Sequence, residues 1–263
     1  MPKRCLVCQH ERPHVFSWTA LLRLAPFRRD LLPPLHAWLC SACEAEADWI
    51  GTGCSRCFRP LEHMDQRYVK ETEQGLLCYD CQRWLEWENK RGAGSVLDWN
   101  RSVLRYNAWT QELIARYKFR GDERLKYFFA AVIREHARQQ GIDTGQIDLV
   151  TAIPLSSGRL SERGFNQSDL IARLVAETWQ RPYRSELLQR QGAEEKQSKK
   201  GRQARMEKIL TMFLNNPACQ ADIINKRIMV IDDIYTTGAT VHAAALALKR
   251  GGAKQVFSYT VAR

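Results

Sequence analysis

Eight of the nine cysteines in this 263-residue chain fall into four Cys-x-x-Cys pairs: Cys5/Cys8, Cys40/Cys43, Cys54/Cys57 and Cys78/Cys81. Each such turn aims two thiolates at one point, and two turns complete the tetrahedral set of four that zinc takes in a closed structural site. The eight ligands therefore predict two structural Zn2+ ions. The intervals favour sequential pairing, 5/8 with 40/43 and 54/57 with 78/81, while a cross-braced pairing of 5/8 with 54/57 stays open on spacing alone. The interval between Cys8 and Cys40 holds the apolar residues Phe16, Trp18, Leu21, Leu22, Leu24 and Phe27. A disulfide framework would need an oxidising compartment and normally a secretion signal. Met1-Pro-Lys-Arg runs straight into Cys5 without an apolar stretch, and no segment is long and apolar enough to span a bilayer, so a cytoplasmic protein without a transmembrane segment is expected. Cys219 stands apart and reads as a small, part-buried residue.

The second constraint is residues 229–240, Met-Val-Ile-Asp-Asp-Ile-Tyr-Thr-Thr-Gly-Ala-Thr. Residues 227–231 have the apolar run of a buried parallel strand, which puts Asp232 and Asp233 at its carboxyl end, where open α/β sheets hold ligands. Thr236, Thr237, Gly238, Ala239 and Thr240 then offer hydroxyls and backbone N–H groups at the start of a helix, a place suited to phosphate. The two carboxylates would repel a phosphate. They suit ribose hydroxyls, or a Mg2+ ion bridging sugar and pyrophosphate oxygens. An acidic strand end before a capped helix would account for one capping Thr, but not for Asp-Asp, Thr-Thr and Gly in this order.

Around these features the chain divides in two. Residues 1–88 form the zinc-binding module with two tetracysteine sites, 89–100 a polar, glycine-containing linker, and 101–263 an α/β domain. A short module rich in polar residues buries little apolar surface, and zinc supplies the folding energy it lacks. Apolar residues recur at helical spacing over 106–117 and 123–139, with the basic turn Lys118-Phe-Arg-Gly-Asp122 between them. Residues 147–153 read as a strand ended by Pro154, 166–179 as a helix and 255–262 as a last strand. That order predicts a parallel sheet flanked by helices, with right-handed crossovers and a crevice over the strand ends. The loop after Ile153 faces the same crevice and carries Ser156, Ser157, Arg159 and Arg163, hydroxyls and cations suited to pyrophosphate.

The formal charge is +11, and it becomes +7 once two zinc–tetrathiolate units of −2 each are counted. A basic protein favours a polyanionic partner. Part of the excess is local. Residues 181–208 hold nine Lys/Arg against four Glu, among them Lys196, Lys199, Lys200, Arg202, Arg205 and Lys208.

Residues 229–240 resemble the 5-phosphoribosyl-1-pyrophosphate (PRPP) signature of the type I phosphoribosyltransferase fold. Taken with the zinc knuckles, Lys118-Phe-Arg-Gly-Asp122, the hallmark Arg163-Gly-Phe-Asn-Gln167 and the basic loop, the chain resembles the ComF family along nearly its whole length. Carrying both knuckle sets, it looks like the longer, Gram-positive-type members. The resemblance implies a type I phosphoribosyltransferase-like sheet behind a small zinc-ribbon-like module. Asp232 and Asp233 would meet ribose hydroxyls, Tyr235, Thr236, Thr237, Gly238, Ala239 and Thr240 would wrap the 5′-phosphate, and Pro154, Ser156, Ser157, Arg159 and Arg163 would form the pyrophosphate loop. Gln197, Arg202 and Arg205 would belong to a flexible loop closing over PRPP. Lys200 and Lys208 depart from the family pattern there.

By the same resemblance the function is DNA uptake in natural transformation, with single-stranded DNA, PRPP or a related ribose phosphate, and a competence helicase or other uptake proteins as partners. Trp84, Trp87, Trp99, Tyr106 and Trp109 lie among Arg83, Lys90, Arg91, Arg101 and Arg105, a mixture that tracks a single strand. Most of these rings are expected in the core, with one or two exposed for stacking. Two other functions fit the same features: an active phosphoribosyltransferase on an unidentified acceptor, and a zinc-ribbon adaptor with a degenerate PRPP site. No base-binding pocket or general base is legible. His10, His14, His36 and His242 carry no evident catalytic role.

Overall fold

The computed structural model describes residues 4–11, 32, 35, 38–92, 94–191 and 210–263. In chain order these form α1 (Ser41–Ala45), the hairpin β1 (Val69–Thr72) and β2 (Gly75–Cys78), α2 (Tyr79–Arg91), β3 (Trp99–Leu104), α3 (Ala108–Phe119), α4 (Leu125–Gln139) and β4 (Leu149–Ala152). There follow α5 (Ser157–Arg163), α6 (Gln167–Trp179), the antiparallel pair β5 (Leu188–Arg190) and β6 (Phe213–Asn215), α7 (Gln220–Ile223), β7 (Arg227–Ile234), α8 (Ala239–Arg250) and β8 (Gln255–Ala262). Strands β3, β8, β7 and β4 make a four-stranded sheet in that order, with every pair parallel. The fold is the expected α/β class, a parallel sheet flanked by helices behind a cysteine-rich module.

Side chains on successive strand residues point to opposite faces, so a sheet covered on both sides reads as a continuous apolar run. Along β7, Met229 and Ile231 enter one core with Phe257, Tyr259, α4 and α6, whereas Ile228 and Val230 enter a second with Val256 and α8. Each core takes in one cysteine cluster. Cys5 and Cys43 pack in the first, and Cys54, Cys57, Cys78 and Cys81 in the second. The cysteine-rich segments thus contribute to cores on opposite faces of the sheet.

Both sheet edges are covered, as an exposed edge would otherwise offer unpaired backbone groups. Ile50 N–H donates to Val103 O (2.9 Å) and Arg105 N–H to Asp48 O (2.8 Å) along β3. On the other side Val150 N–H donates to Pro182 O (2.9 Å) and Arg184 N–H to Val150 O (3.1 Å).

Three differences from the sequence expectation bear on the site and its surroundings. Strand β7 continues through Asp232 and Asp233 to Ile234, because Asp232 and Ile234 still pair with Thr260 and Ala262 of β8. Strand β3 begins at Trp99, inside the stretch read as linker. Its buried positions Asn100 and Ser102 are polar, and they are satisfied by Ser258 Oγ–H donating to Asn100 Oδ1 (2.7 Å) and by Ser102 Oγ against Thr260 Oγ1 (2.7 Å). Helix α2, not read from the sequence, runs through Arg91 and stops at Gly92, which takes the left-handed φ of 59° of a helix C-cap.

Candidate functional site

The cysteines gather as Cys5, Cys8, Cys40 and Cys43 in one group and Cys54, Cys57, Cys78 and Cys81 in the other, with all four sulfurs of each group within 4.8 Å of one another. This is the sequential pairing. A tetrahedral zinc with Zn–S bonds of about 2.3 Å needs sulfurs roughly 3.8 Å apart. Cys8 Sγ lies 3.6 Å from Cys40 Sγ, and Cys57 Sγ 3.5 Å from Cys78 Sγ. Both groups use the same backbone device, with Cys40 N–H donating to Cys5 Sγ and Cys78 N–H to Cys54 Sγ, each at 3.3 Å. None of the eight is in a disulfide, and four thiols at these separations could hold a structural metal ion such as zinc.

Each cluster is fastened to the α/β domain. On the first face, Arg116 of α3 donates to the carbonyls of Val7 (2.7 Å) and Leu6 (3.2 Å), between the first two cysteines, and pairs with Asp122 (2.8 Å). On the second, Cys57 O accepts from Asn100 Nδ2 (3.2 Å) and Arg263 Nη1 (2.8 Å). A buried ion pair between Arg56 and Glu88 closes the gap to α2, and Arg56 also donates to Leu97 O (3.1 Å).

The acidic pair lies near the carboxyl end of β7. Asp232 Oδ1 accepts from Ser168 Oγ–H (3.0 Å), which ties the start of α6 to the strand, and from Asp233 N–H (2.9 Å). Asp233 Oδ2 is 2.7 Å from Lys118 Nζ, and both side chains are less than one-fifth exposed. Lys118 belongs to the basic turn at the end of α3. Burial, reinforced by the neighbouring Asp233, pushes the Asp232 carboxyl up from 3.8 to about 7, against the opposing pull of the Asp233 amide, Lys118 and Ser168. Asp233 is therefore engaged by a cation in this arrangement, and a sugar hydroxyl or Mg2+ reaching it competes with that ammonium.

The turn that follows is built on Tyr235. The ring is buried beneath Gly238, and a Cβ at residue 238 would lie 2.1 Å from the Tyr235 hydroxyl oxygen. With φ at +81°, only glycine fits that position without strain. Thr236 and Thr237 are exposed, and Ala239 opens α8, with Thr240 in its first turn. Trp84 of α2 holds the turn from outside. Its Nε1–H donates to Thr237 O (3.1 Å), and its ring stacks on His242 with centroids 3.9 Å apart. His242 is buried, and burial lowers its pKa from 6.5 to about 3, so packing is its role.

The loop after β4 sits beside this turn, because β4 pairs with β7 and Ile153 N–H donates to Ile231 O (3.1 Å). Pro154 is half-buried, Ser156 is buried, and Ser157 and Arg159 are exposed. Ser156 caps α5 by accepting from Arg159 N–H (3.4 Å). Gly164 ends α5 with a φ of 76°. Asn166 then caps α6 through Ser168 N–H (3.1 Å) and donates to Ile153 O (3.0 Å), pinning the strand end. Arg163 donates to Gln167 Oε1 (3.1 Å) and lies over the Phe119 ring. Gln197, Arg202 and Arg205 fall outside the described residues.

In the sequence Lys118 is legible only as part of a basic turn, and Ser168 carries no local signal of its contact with Asp232. The signal was present in the Lys118-Phe-Arg-Gly-Asp122 sequence, but its partner Asp233 lies far along the chain. Among Trp84, Trp87, Trp99, Tyr106 and Trp109, only Tyr106 is exposed. Among the described residues no helix is long and apolar enough to cross a membrane.

A four-stranded parallel sheet with an acidic pair and a glycine turn at one strand end, and a tetracysteine cluster in the core on each face, defines a class of α/β proteins with a cysteine-rich N-terminal module. No family model matches the chain. It is 30% identical over 261 residues, 99% of this chain and 100% of the relative, to "Competence protein ComFC" of Streptococcus pneumoniae. It is 31% identical to "Competence protein ComFC" of Bacillus subtilis, over 98% of this chain and 94% of that one. "DNA utilization protein YhgH" of Salmonella typhimurium is 26% identical over 89% of this chain and 99% of its own length. The chain belongs to the ComF family.

Proposed function

We propose that this chain acts in DNA uptake during competence, as a cytoplasmic protein that binds single-stranded DNA and PRPP or a related ribose phosphate. The names of its relatives support the competence role. The observation that carries the ligand reading is the juxtaposition of Asp232 and Asp233 with exposed Thr236 and Thr237 at the N-terminus of a 12-residue helix. The helix dipole and its orphan N–H groups favour the 5′-phosphate, and the carboxylates favour the ribose diol or Mg2+. Ser156, Ser157, Arg159 and Arg163 take the pyrophosphate. Lys118 neutralises Asp233 until Mg2+ or the diol replaces it, which leaves the ammonium free to face pyrophosphate. Two structural Zn2+ ions hold the N-terminal module, and the short connection between α2 and β3 joins it to the ligand-binding domain. A competence helicase or another uptake protein is the protein partner such a role calls for.

Calorimetric titration of the zinc-loaded protein with PRPP, with and without MgCl2, tests the ligand. Binding should require Mg2+ and disappear in Asp232→Asn and Asp233→Asn; a wild-type protein giving no heat with either sinks the PRPP reading. Pyrophosphate release from PRPP would mark a transferase. Anisotropy of a labelled oligonucleotide should show binding that weakens as salt rises, in proportion to the phosphates contacted.

A further inference from the structure

Beyond the acidic pair, the carboxyl ends of β3, β7 and β8 border a second feature, a largely open pocket of about 480 Å³ between the sheet and the second cysteine module. Its volume falls within the range of roughly 300–1,000 Å³ typical of small-ligand sites. Thr236 forms part of its wall, so it adjoins the turn proposed to hold phosphate. Also lining it are Arg59 from the cysteine module, Arg105 and Tyr106 from the end of β3, and Arg263 beyond β8. Three arginines thus line the space together with one acidic residue, Asp48.

These side chains are held in place by the protein. Arg59 pairs with Asp80 (2.8 Å), and Arg105 with Asp48 (3.3 Å) and Glu62 (3.0 Å), with both arginine side chains about one-third exposed. Arg263 is fixed by Cys57 O and lies over the Tyr235 ring, 4.6 Å from its centroid. Tyr106 differs from them, being an aromatic residue 42% exposed at the pocket rim, with its backbone fixed by Tyr106 N–H donating to Arg263 O (2.7 Å). A rigid backbone carrying an open ring beside partly exposed guanidinium groups is the combination that stacks a base and neutralises the adjoining phosphate.

We infer that this pocket receives one unstacked nucleotide of single-stranded DNA, its base on Tyr106 and its phosphate toward Arg59 and Arg105. The inference rests on the single-stranded DNA reading above and gives that strand a path, past the cysteine module to the edge of the ribose-phosphate turn. A site of this size takes one nucleotide unit rather than paired, stacked bases, so it selects single strands over duplex.

The test is fluorescence anisotropy of the zinc-loaded full chain with fluorescein-labelled oligothymidylate across a salt series. Tyr106→Ala should weaken binding about tenfold, within the range for losing one base stack, while Tyr106→Phe should keep wild-type affinity because the ring remains. Arg59→Gln should lower the slope of log affinity against log salt by about 0.7, the loss of one phosphate contact to a single strand. Tyr68→Ala removes another exposed ring that does not line the pocket and should bind as wild type. Circular dichroism and zinc content establish that each variant is folded. If the wild type binds and Tyr106→Ala binds equally well, or Arg59→Gln leaves the salt slope unchanged, the pocket is not the DNA path, although the DNA reading survives. A folded wild type that fails to bind at low salt removes both.

Discussion

Gly238 shows how much one residue can decide. Its left-handed backbone and the 2.1 Å approach that a Cβ would make to Tyr235 allow no side chain. Gly238→Ala should therefore cost about 1–3 kcal/mol in urea unfolding and should also abolish PRPP binding, since the turn has to shift to admit the methyl group. Asp232 makes a different demand. With its pKa raised from 3.8 to about 7, the folded protein holds a proton that the unfolded chain has released across that window. The folded state binds more protons there, so stability falls as pH rises between about 4 and 7. Asp232→Asn removes this dependence, and the urea midpoint of the wild type should decline relative to the variant across the same range. Buried His136 and His242, lowered to about 4 and about 3, act in the opposite direction, losing stability as pH falls below 6.5. Because both proteins carry them, the comparison cancels their effect.

Helix α2 is the element that joins the second cysteine cluster to the glycine turn after β7. Cys78 and Cys81 lie at its start, Trp84 one turn on reaches Thr237, and Glu88 a further turn on pairs with Arg56. Glu88→Gln leaves the Arg56 cation buried without its counter-charge and should cost about 3–5 kcal/mol, read from denaturant unfolding. Trp84→Phe keeps a ring against His242 but removes the donor to Thr237. Its expected cost is about 1 kcal/mol, with weaker PRPP binding as the sign that the turn has loosened. How legible each element was depends on where its partners lie. Strands β7 and β8 and helices α4 and α6 show in the sequence because their periodicity is local. Strand β3 does not, since Asn100 and Ser102 look like loop residues until Ser258, Thr260 and the Cys57 carbonyl are placed opposite them. The site followed the same rule. The acidic pair and the glycine turn are contiguous and could be read directly, whereas the Lys118–Asp233 and Ser168–Asp232 contacts need the fold to bring distant residues together.

At the scale of the whole molecule, the two cysteine clusters belong to different cores, so losing metal from either should disturb the sheet itself. Atomic absorption should find two zinc ions per chain, and stripping them with a chelator should abolish cooperative thermal unfolding rather than melt a separate module. The clusters should respond unequally. Cys57→Ser, at a buried sulfur, should be more damaging than Cys8→Ser, whose residue is exposed. The strand order carries a further consequence. Strand β8 lies between β3 and β7, so β3 has no neighbour in the sheet until residues 255–262 emerge from the ribosome. During synthesis the earlier strand waits with an open flank, held by the segment around Ile50 and the knuckle at Cys57, and closure is a late, long-range event. Metal captured early by the nascent chain would secure the covering of the opposite edge of β3 while the β8 side waits, making zinc supply during translation a determinant of soluble yield.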